Sequence, residues 1–320
     1  MALVFQTDIA WPDDGVERQV IEGAGHQLVT LSDKAESATI IENELRSLNP
    51  AAIMTCWSQV SADAIAMPQN LRIVQRVGVG LDNIAVAAAT ERGCWVANVP
   101  DYCVEEVSDH AIALLLDWAR GVTVLDRSVK LGLWDPASAR LRRVSDLTVG
   151  IVGYGRIGRR TAAKLSSFGC KLLVTTRGRV DQIGLEQVSL DELAGRSDVV
   201  ILHAPLTTET FHLVNRAYFT KIKPGSFLIN VSRGPLIDTD ELLNALQDGR
   251  LSGAGLDVIE GEPSPPLSLT SRPDVVATPH VAFASDASIV ELRRRSAEEV
   301  VRVLAGSAPL HPCNHPERPS

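Results

Sequence analysis

The chain has 320 residues, 45% of them apolar and 22% charged, with a net charge of −8. That length suits two domains with a core in each, and the ordinary apolar fraction excludes a disordered or fibrous chain. The acidic balance points away from nucleic acid and anionic membrane surfaces, and no apolar run approaches the ~20 residues of a membrane span.

In chain order, strand and helix signals alternate, which predicts an α/β protein with mostly parallel sheets. Residues 2–7 read as a strand, 15–24 and 33–47 as helices, 51–56 and 73–77 as buried strands, 86–92 as a helix and 95–98 as a short strand. A long helix is predicted over 104–122. Its apolar positions, Val104, Val107, Ala111, Ile112, Leu114, Leu115, Leu116, Trp118 and Ala119, cover more than one stripe. A helix apolar on several sides must be buried on several sides, so a homodimer through 104–122 is expected. The second block carries six strands, at 148–152, 171–175, 199–203, 226–231, 253–257 and 275–278, with helices starting near Arg156, Asp191, Asn215 and Thr239. A closing helix at 287–304 is expected to return to the first block. The tail beyond Ala308, with Pro309, Pro312, Pro316 and Pro319, reads as irregular or disordered. The predicted domains are 1–100 with 282–320, and 101–281. The five cysteines, Cys56, Cys94, Cys103, Cys170 and Cys313, are scattered and without metal-ligand spacing. With no signal-peptide pattern at the N-terminus, they fit reduced thiols in a cytoplasmic protein, and Cys103 reads as a packed thiol rather than a nucleophile.

The segment Val149-Gly150-Ile151-Val152-Gly153-Tyr154-Gly155-Arg156-Ile157-Gly158 is a β-branched run leading into Gly-x-Gly-x-x-Gly, with a helical pattern after it and a second strand from Lys171. Gly153 allows a tight turn, Gly155 lets a pyrophosphate approach the backbone, and Gly158 lets helix and strand pack closely. The helix N-terminus at Arg156 and Ile157 then faces an anion with unpaired N–H groups. This is a dinucleotide site. An NAD site ends its second strand on an acid that takes the ribose 2′-hydroxyl. Here the strand ends in Thr175-Thr176-Arg177-Gly178-Arg179. Thr176, Arg177 and Arg179 can bind a 2′-phosphate, giving a preference for NADP(H) with NAD(H) also accepted. An exposed basic turn that merely lacks the acid is the other reading.

Four further stretches carry a resemblance. They are Val77-Gly78-Val79-Gly80-Leu81-Asp82-Asn83, Asn230-Val231-Ser232-Arg233-Gly234, Leu256-Asp257-Val258-Ile259-Glu260-Gly261-Glu262-Pro263 and Thr278-Pro279-His280. With the glycine motif between the first and second, their order and spacing resemble the D-isomer-specific 2-hydroxyacid dehydrogenases over nearly the whole chain. The segment from Ala282 to Ser288 resembles the branch of the C-terminal-binding proteins and their bacterial relatives. The resemblance implies a Rossmann dinucleotide-binding domain inserted into a smaller, flavodoxin-like substrate domain. It also implies reduction of a small 2-oxo acid to the D-2-hydroxy acid.

Arg233 is the one cation in its stretch and follows an apolar strand, at the end where open α/β sheets bind ligands. Its guanidinium suits a carboxylate and a developing alkoxide. His280, also at a strand end, matches the family's acid/base, and imidazole moves protons near pH 7. By family register Glu262 is the acid on its other nitrogen, Glu260 is the neighbour easily mistaken for it, and Asp257 is a polar support near the nicotinamide. The resemblance further implies that Gly78 and Val79 offer amides to the substrate carboxylate. His203, Ala204, Pro205, Val231 and Ser232 would lie along the cofactor. Tyr102 matches a carboxylate-binding Tyr of some lactate-type members, with packing as the alternative; Trp57 and Phe283 are candidates for the pocket wall. A nucleotide-sensing interaction protein, a formate-type enzyme (whose family members place Gln, not Glu, before the His) and a 3-phosphoglycerate enzyme are the rival readings.

Overall fold

The computed structural model describes residues 1–31 and 38–317. The chain divides into two compact units, Met1–Tyr102 together with the segment from Ser285 onward, and Cys103–Ala284.

The first unit opens with β1 (Leu3–Gln6), α1 (Gly15–Gly23), β2 (Gln27–Thr30), α2 (Ala38–Leu48) and β3 (Ala52–Thr55), followed by α3 (Ala62–Ala66), β4 (Ile73–Arg76), α4 (Val86–Glu91) and β5 (Trp95–Ala97). The part of the expected helix at 33–37 lies outside the described residues. All strands are parallel, in the order β2-β1-β3-β4-β5, the doubly wound order of flavodoxin-like sheets. The middle strands β3 and β4 are buried at every residue, as sheets covered on both faces require. Phe5, Ile53, Val74 and Val96 pack there with Ile41, Leu45 and Ile65 from the helices. β2 is absent from the expectation because only Leu28 of its four residues is fully buried, so no apolar run announces it.

The second unit runs α5 (Val104–Arg120), α6 (Val122–Lys130), β6 (Thr148–Val152), α7 (Arg156–Ser166), β7 (Lys171–Thr175), β8 (Leu185–Gln187), α8 (Leu190–Arg196) and β9 (Val199–Leu202). It continues with α9 (Arg216–Lys221), β10 (Ser226–Asn230), α10 (Thr239–Gln247), β11 (Leu251–Leu256), α11 (Leu267–Thr270) and β12 (Val275–Ala277). Its seven-stranded parallel sheet has the order β12-β11-β10-β9-β6-β7-β8. Counted from β6 this is the 3-2-1-4-5-6 dinucleotide-binding order with one strand added, and its switch point falls between β6 and β9. The unexpected strand, β8, is an edge of sequence Leu-Glu-Gln with both polar residues exposed.

The expected helix at 104–122 is interrupted. Gly121 adopts φ 64°, a left-handed C-cap that ends α5 and redirects the chain into α6. α5 is also covered within its own unit. Val107, Ala111, Ile112, Leu114, Leu115 and Ala119 are buried, a Cβ on Gly255 would lie 3.1 Å from Leu114, and Trp118 stacks on Phe227 at 5.1 Å. The apolar excess that suggested a partner for α5 is therefore used internally. Exposed apolar side chains follow instead at Val122, Val124, Val129, Leu131, Leu133 and Trp134.

α12 (Asp286–Leu304) returns to the first unit against α1. Arg293 reaches Glu17 at 2.7 Å, both side chains being buried. A buried pair needs its remaining hydrogen bonds filled; Arg293 Nη2 also donates to Asp13 O, and the guanidinium lies over Trp11. The tail departs from the expectation of disorder as far as residue 317. Cys313 N donates to Val96 O at 2.7 Å, and the Asn314 side chain accepts from Val96 N and donates to Cys94 O and Thr90 Oγ1. The tail thus closes the open edge of β5, a role that needs few N–H groups and tolerates proline. Pro319 lies outside the described residues.

Candidate active site

The glycine turn shows three different constraints. Gly153 has φ 95°, and a Cβ there would meet His203 O at 2.6 Å and Ala204 N at 2.7 Å. A Cβ on Gly158 would meet Gly153 O at 2.2 Å, so the helix can pack on the turn only without a side chain. At Gly155 a Cβ would meet nothing within 4 Å. The first and third glycines are demanded by the protein, whereas the second faces open space at the N-terminus of α7, where a pyrophosphate would bind. Arg156 and Ile157 open that helix. His203 bonds Thr161 Oγ1 of α7 at 2.9 Å, and burial pushes its imidazole down to about 3, so it is neutral. These features fit a dinucleotide.

The end of β7 borders a cavity of about 270 Å³ lined by Tyr154, Arg159, Thr176, Gly178, Arg179 and residues 180–182. Arg177 is not among the lining residues. Its charge instead adds to the hydrogen bonds, chiefly from Thr207, that hold the Glu209 carboxyl below its ordinary value. Arg179 is 87% exposed and 3.6 Å from Asp181. The two arginines named from sequence are therefore placed differently.

β10 and β11 are adjacent parallel strands, and their carboxyl ends carry the reactive candidates. After β10, buried Asn230 accepts from Ser232 N and donates to Arg233 O, while Ser232 Oγ donates to Leu202 O at 2.8 Å. This locks the turn that presents Arg233, whose Nη1 donates to Ser232 O. Val231 is buried beneath it. A Cβ on Gly234 would lie 2.3–2.5 Å from the Ile259–Glu260 backbone, so the two loops press together at a glycine.

After β11, Asp257 organises the His280 turn. Its Oδ1 accepts from Thr278 Oγ1 at 2.6 Å and from Val281 N at 2.9 Å, its Oδ2 accepts from Ala282 N at 2.9 Å, and its carbonyl accepts from His280 N at 2.8 Å. His280 sits at φ 53°, a left-handed conformation that a side chain adopts only when its surroundings impose it. Its Nδ1 meets Glu262 Oε1 at 2.9 Å, and Phe283 stands edge-on to the ring at 6.2 Å. Asp257, expected beside the nicotinamide, is buried, and its carboxylate holds this turn.

A second pair lies close by in sequence. His212 Nε2 meets Glu260 Oε1 at 2.9 Å, its Nδ1 is 3.7 Å from Asp238, and Phe211 stacks on the ring. Glu260 Oε2 accepts from Thr239 Oγ1, and His212 N donates to Pro235 O. The pair ties the loop bearing Arg233 to the loop bearing Glu262. Nothing in the sequence marks it, because its members come from three separate loops. His110 of α5 is likewise unmarked; its Nε2 lies 3.0 Å from Thr278 Oγ1 and 3.7 Å from Asp257.

In the first unit, Gly78 has φ 152°, and a Cβ there would lie 2.6 Å from Arg76 Nη1. Buried Arg76 donates to the carbonyls of Val77 and Gly80, Asn98 Nδ2 to Val79 O, and Val99 N to Gly78 O. The carbonyls of this loop are thus taken by the protein, and the Arg76 guanidinium packs against Gly78, one of the two residues expected from the resemblance to meet a carboxylate. Arg76 was missed because it falls inside the buried strand expected at 73–77. Tyr102 is buried, and Trp57 is 43% exposed beneath Arg76. Asp8 accepts from the amides of Cys56, Trp57 and Ser58 and so fixes that loop. All five cysteines are reduced; burial pushes the Cys56 and Cys94 thiols up to about 12, which leaves them unreactive, and Cys103 is buried. Among the described residues no helix is long and apolar enough to cross a membrane, and no group of three metal-type ligands occurs.

Residues 112–282 match the family model of the D-isomer specific 2-hydroxyacid dehydrogenase NAD binding domain. A glyoxylate reductase of Thermofilum pendens is 36% identical over 84% of this chain and 83% of its own length. A D-3-phosphoglycerate dehydrogenase of Mycobacterium leprae is 37% identical over 80% of this chain, but that stretch is only 49% of the relative. The crystal structure of an NADPH-dependent glyoxylate/hydroxypyruvate reductase from Sinorhizobium meliloti, in complex with NADP and malonate, superposes with a TM-score of 0.84. It is 29% identical, and the match covers 100% of this chain and 99% of that one. The chain belongs to the D-isomer-specific 2-hydroxyacid dehydrogenase family, as an NAD(P)-dependent oxidoreductase with a Rossmann domain and a second α/β domain.

Proposed function

We propose that this enzyme reduces a small 2-oxo acid of the glyoxylate or hydroxypyruvate type to the D-2-hydroxy acid, with NADP(H) preferred over NAD(H). The observation that carries the reading is the His280–Glu262 pair on a turn locked by Asp257, with Arg233 presented from the neighbouring strand end. A bound reduced nicotinamide supplies the hydride. Arg233 holds the substrate's carboxylate and stabilises the charge that develops on the carbonyl oxygen. Glu262 occupies Nδ1 of His280, which assigns proton transfer to Nε2. The carboxylate also orients the ring and favours the imidazolium that donates. Gly78, Val79 and Tyr102 are the proposed carboxylate contacts of the first unit, with Arg76 adding positive charge. Gly153, Gly155, Gly158 and the N-terminus of α7 take the pyrophosphate. Ala204, Pro205 and Ser232 line the strand ends along the cofactor.

The small substrate is supported by the glyoxylate reductase relative, matched over most of both chains. The proposed NADP(H) preference rests on the missing acid after β7 and on the cation-lined cavity there. The test is a panel of 2-oxo acids, including 3-phosphohydroxypyruvate, assayed with both reduced cofactors. Fastest turnover of glyoxylate or hydroxypyruvate with NADPH supports the proposal. Cofactor binding without turnover would identify a sensor instead. The same reading includes a homodimer, for which the exposed apolar segment 122–134 that follows α5 offers a surface.

A further inference from the structure

The cavity beside β7 is not walled by the strand end alone. Its other wall comes from the glycine turn and from α7. Tyr154, between the first two glycines, is 8% exposed and donates its hydroxyl to Gln182 Oε1 at 2.5 Å. That bond ties the turn to the 180–182 segment and sets the width of the cavity. Arg159 stands one residue past the third glycine, in the first turn of α7. Its guanidinium lies 5.6 Å over the Tyr154 ring, and its Nε donates to Tyr154 O at 3.2 Å. A planar cation stacked and hydrogen-bonded in this way has lost much of its freedom before any ligand arrives.

Two other basic residues of the helix, Arg160 and Lys164, differ, whereas Arg156 at its first position likewise has no ion pair among the described residues. Arg160 and Lys164 are engaged by Glu105 and Asp109, whereas Arg159 has no carboxylate partner among the described residues. Arg179, on the opposite wall, is almost fully exposed and paired with Asp181 at 3.6 Å. Asp181 also lines the cavity, so its charge opposes an anion there.

We infer that Arg159, rather than Arg177 or Arg179, is the main determinant of 2′-phosphate recognition. Thr176 supplies a neutral hydroxyl, Arg179 a weaker and solvent-screened charge, and Asp181 a penalty. This rests on the NADP(H) preference proposed above and names the residue that produces it. Arg159 is exposed, so its variants should fold.

The experiment is fluorescence titration of NADPH and of NADH into the full-length wild type, Arg159→Gln, Arg159→Lys, Arg179→Gln and Asp181→Asn. Arg159→Gln should weaken NADPH binding about tenfold or more, the worth of one charged hydrogen bond, and change NADH binding less than about twofold. Arg159→Lys should recover part of the loss. Arg179→Gln should cost only about two- to threefold because its charge is solvated, and Asp181→Asn should tighten NADPH. An unchanged NADPH/NADH ratio in Arg159→Gln, or equal weakening of both cofactors, overturns the inference while leaving the cofactor preference intact. A wild type that binds NADPH no better than NADH overturns the preference itself, and the inference with it.

Discussion

Two imidazole–glutamate pairs occupy the strand ends of the second unit, and they look alike. His280 and His212 both have left-handed backbones, φ 53° and 48°, and each lies 2.9 Å from a glutamate, the two acids being separated by one glycine. Their surroundings differ. His212 meets a carboxylate at each ring nitrogen, Glu260 and Asp238, and is stacked by Phe211. An imidazole held at both nitrogens fastens loops. His280 meets Glu262 at Nδ1, on a turn that Asp257 holds by three bonds to its carboxylate. The comparison teaches that a His–Glu contact at a strand end is not by itself evidence of catalysis; what surrounds the ring, a loop-fastening carboxylate pair or a turn built to present it, decides its use. A third imidazole, His203, completes the contrast, being half-buried, neutral and bonded to a threonine.

The largest expected effect breaks the comparison at its reactive member. His280→Gln should lower the rate of 2-oxo acid reduction by the ~10²–10⁴-fold typical of general acid catalysis, with cofactor affinity nearly unchanged. His212→Gln should cost no more than about tenfold, because its losses are positional. Steady-state kinetics of the two variants side by side check this, and equal losses would remove the distinction. Next in size, Arg233→Gln should cut kcat/KM by about 10²-fold or more, as expected for loss of a charge aimed at a developing oxyanion. A loss confined to KM would show that Arg233 only holds the carboxylate.

A smaller effect should come from Trp134→Asp on the exposed segment 122–134. Light scattering should give about twice the chain mass for the wild type and a shift toward monomer in the variant. A wild-type monomer would end the dimer proposal. Smallest is the stability effect at His203. Its folded value, about 3, lies below the ordinary 6.5, so the unfolded chain binds the extra proton between those values. Stability from this group is complete above ~6.5 and declines as pH falls toward ~3, by at most about 1.4 kcal/mol per unit. Denaturant unfolding of His203→Gln should show a shallower decline over that window. An identical pH dependence would mean that water reaches the ring.

The parts of this account legible in the sequence are those the backbone itself demands. Gly153 and Gly158 are required by contacts of 2.2–2.7 Å, so their spacing predicted the turn, the helix and the ligand together. Apolar strands such as β6, β9 and β10 announced themselves, whereas β2 and β8 bury too little to do so. Arg233, Glu262 and His280 were named from family register, yet register could not show that Asp257 holds the His280 turn. The burial of α5 was legible, but an apolar count says that a helix is buried, not what buries it. Tertiary pairs such as His212–Glu260, and an exposed helical arginine such as Arg159, look in sequence like any solvated surface residues.

The most direct test applies one chemical change at two positions separated by a glycine, Glu262→Gln and Glu260→Gln. The measurement is the single-turnover rate of 2-oxo acid reduction at saturating substrate with NADPH already bound. The account predicts that Glu262→Gln slows this step by about tenfold or more, since the donor loses its orienting anion. Glu260→Gln should leave the step within about threefold of wild type and act mainly on KM, through the loosened Arg233 loop. Equal rates for the two variants, or a slower step in Glu260→Gln, would contradict the assignment of His280–Glu262 as the proton-donating pair.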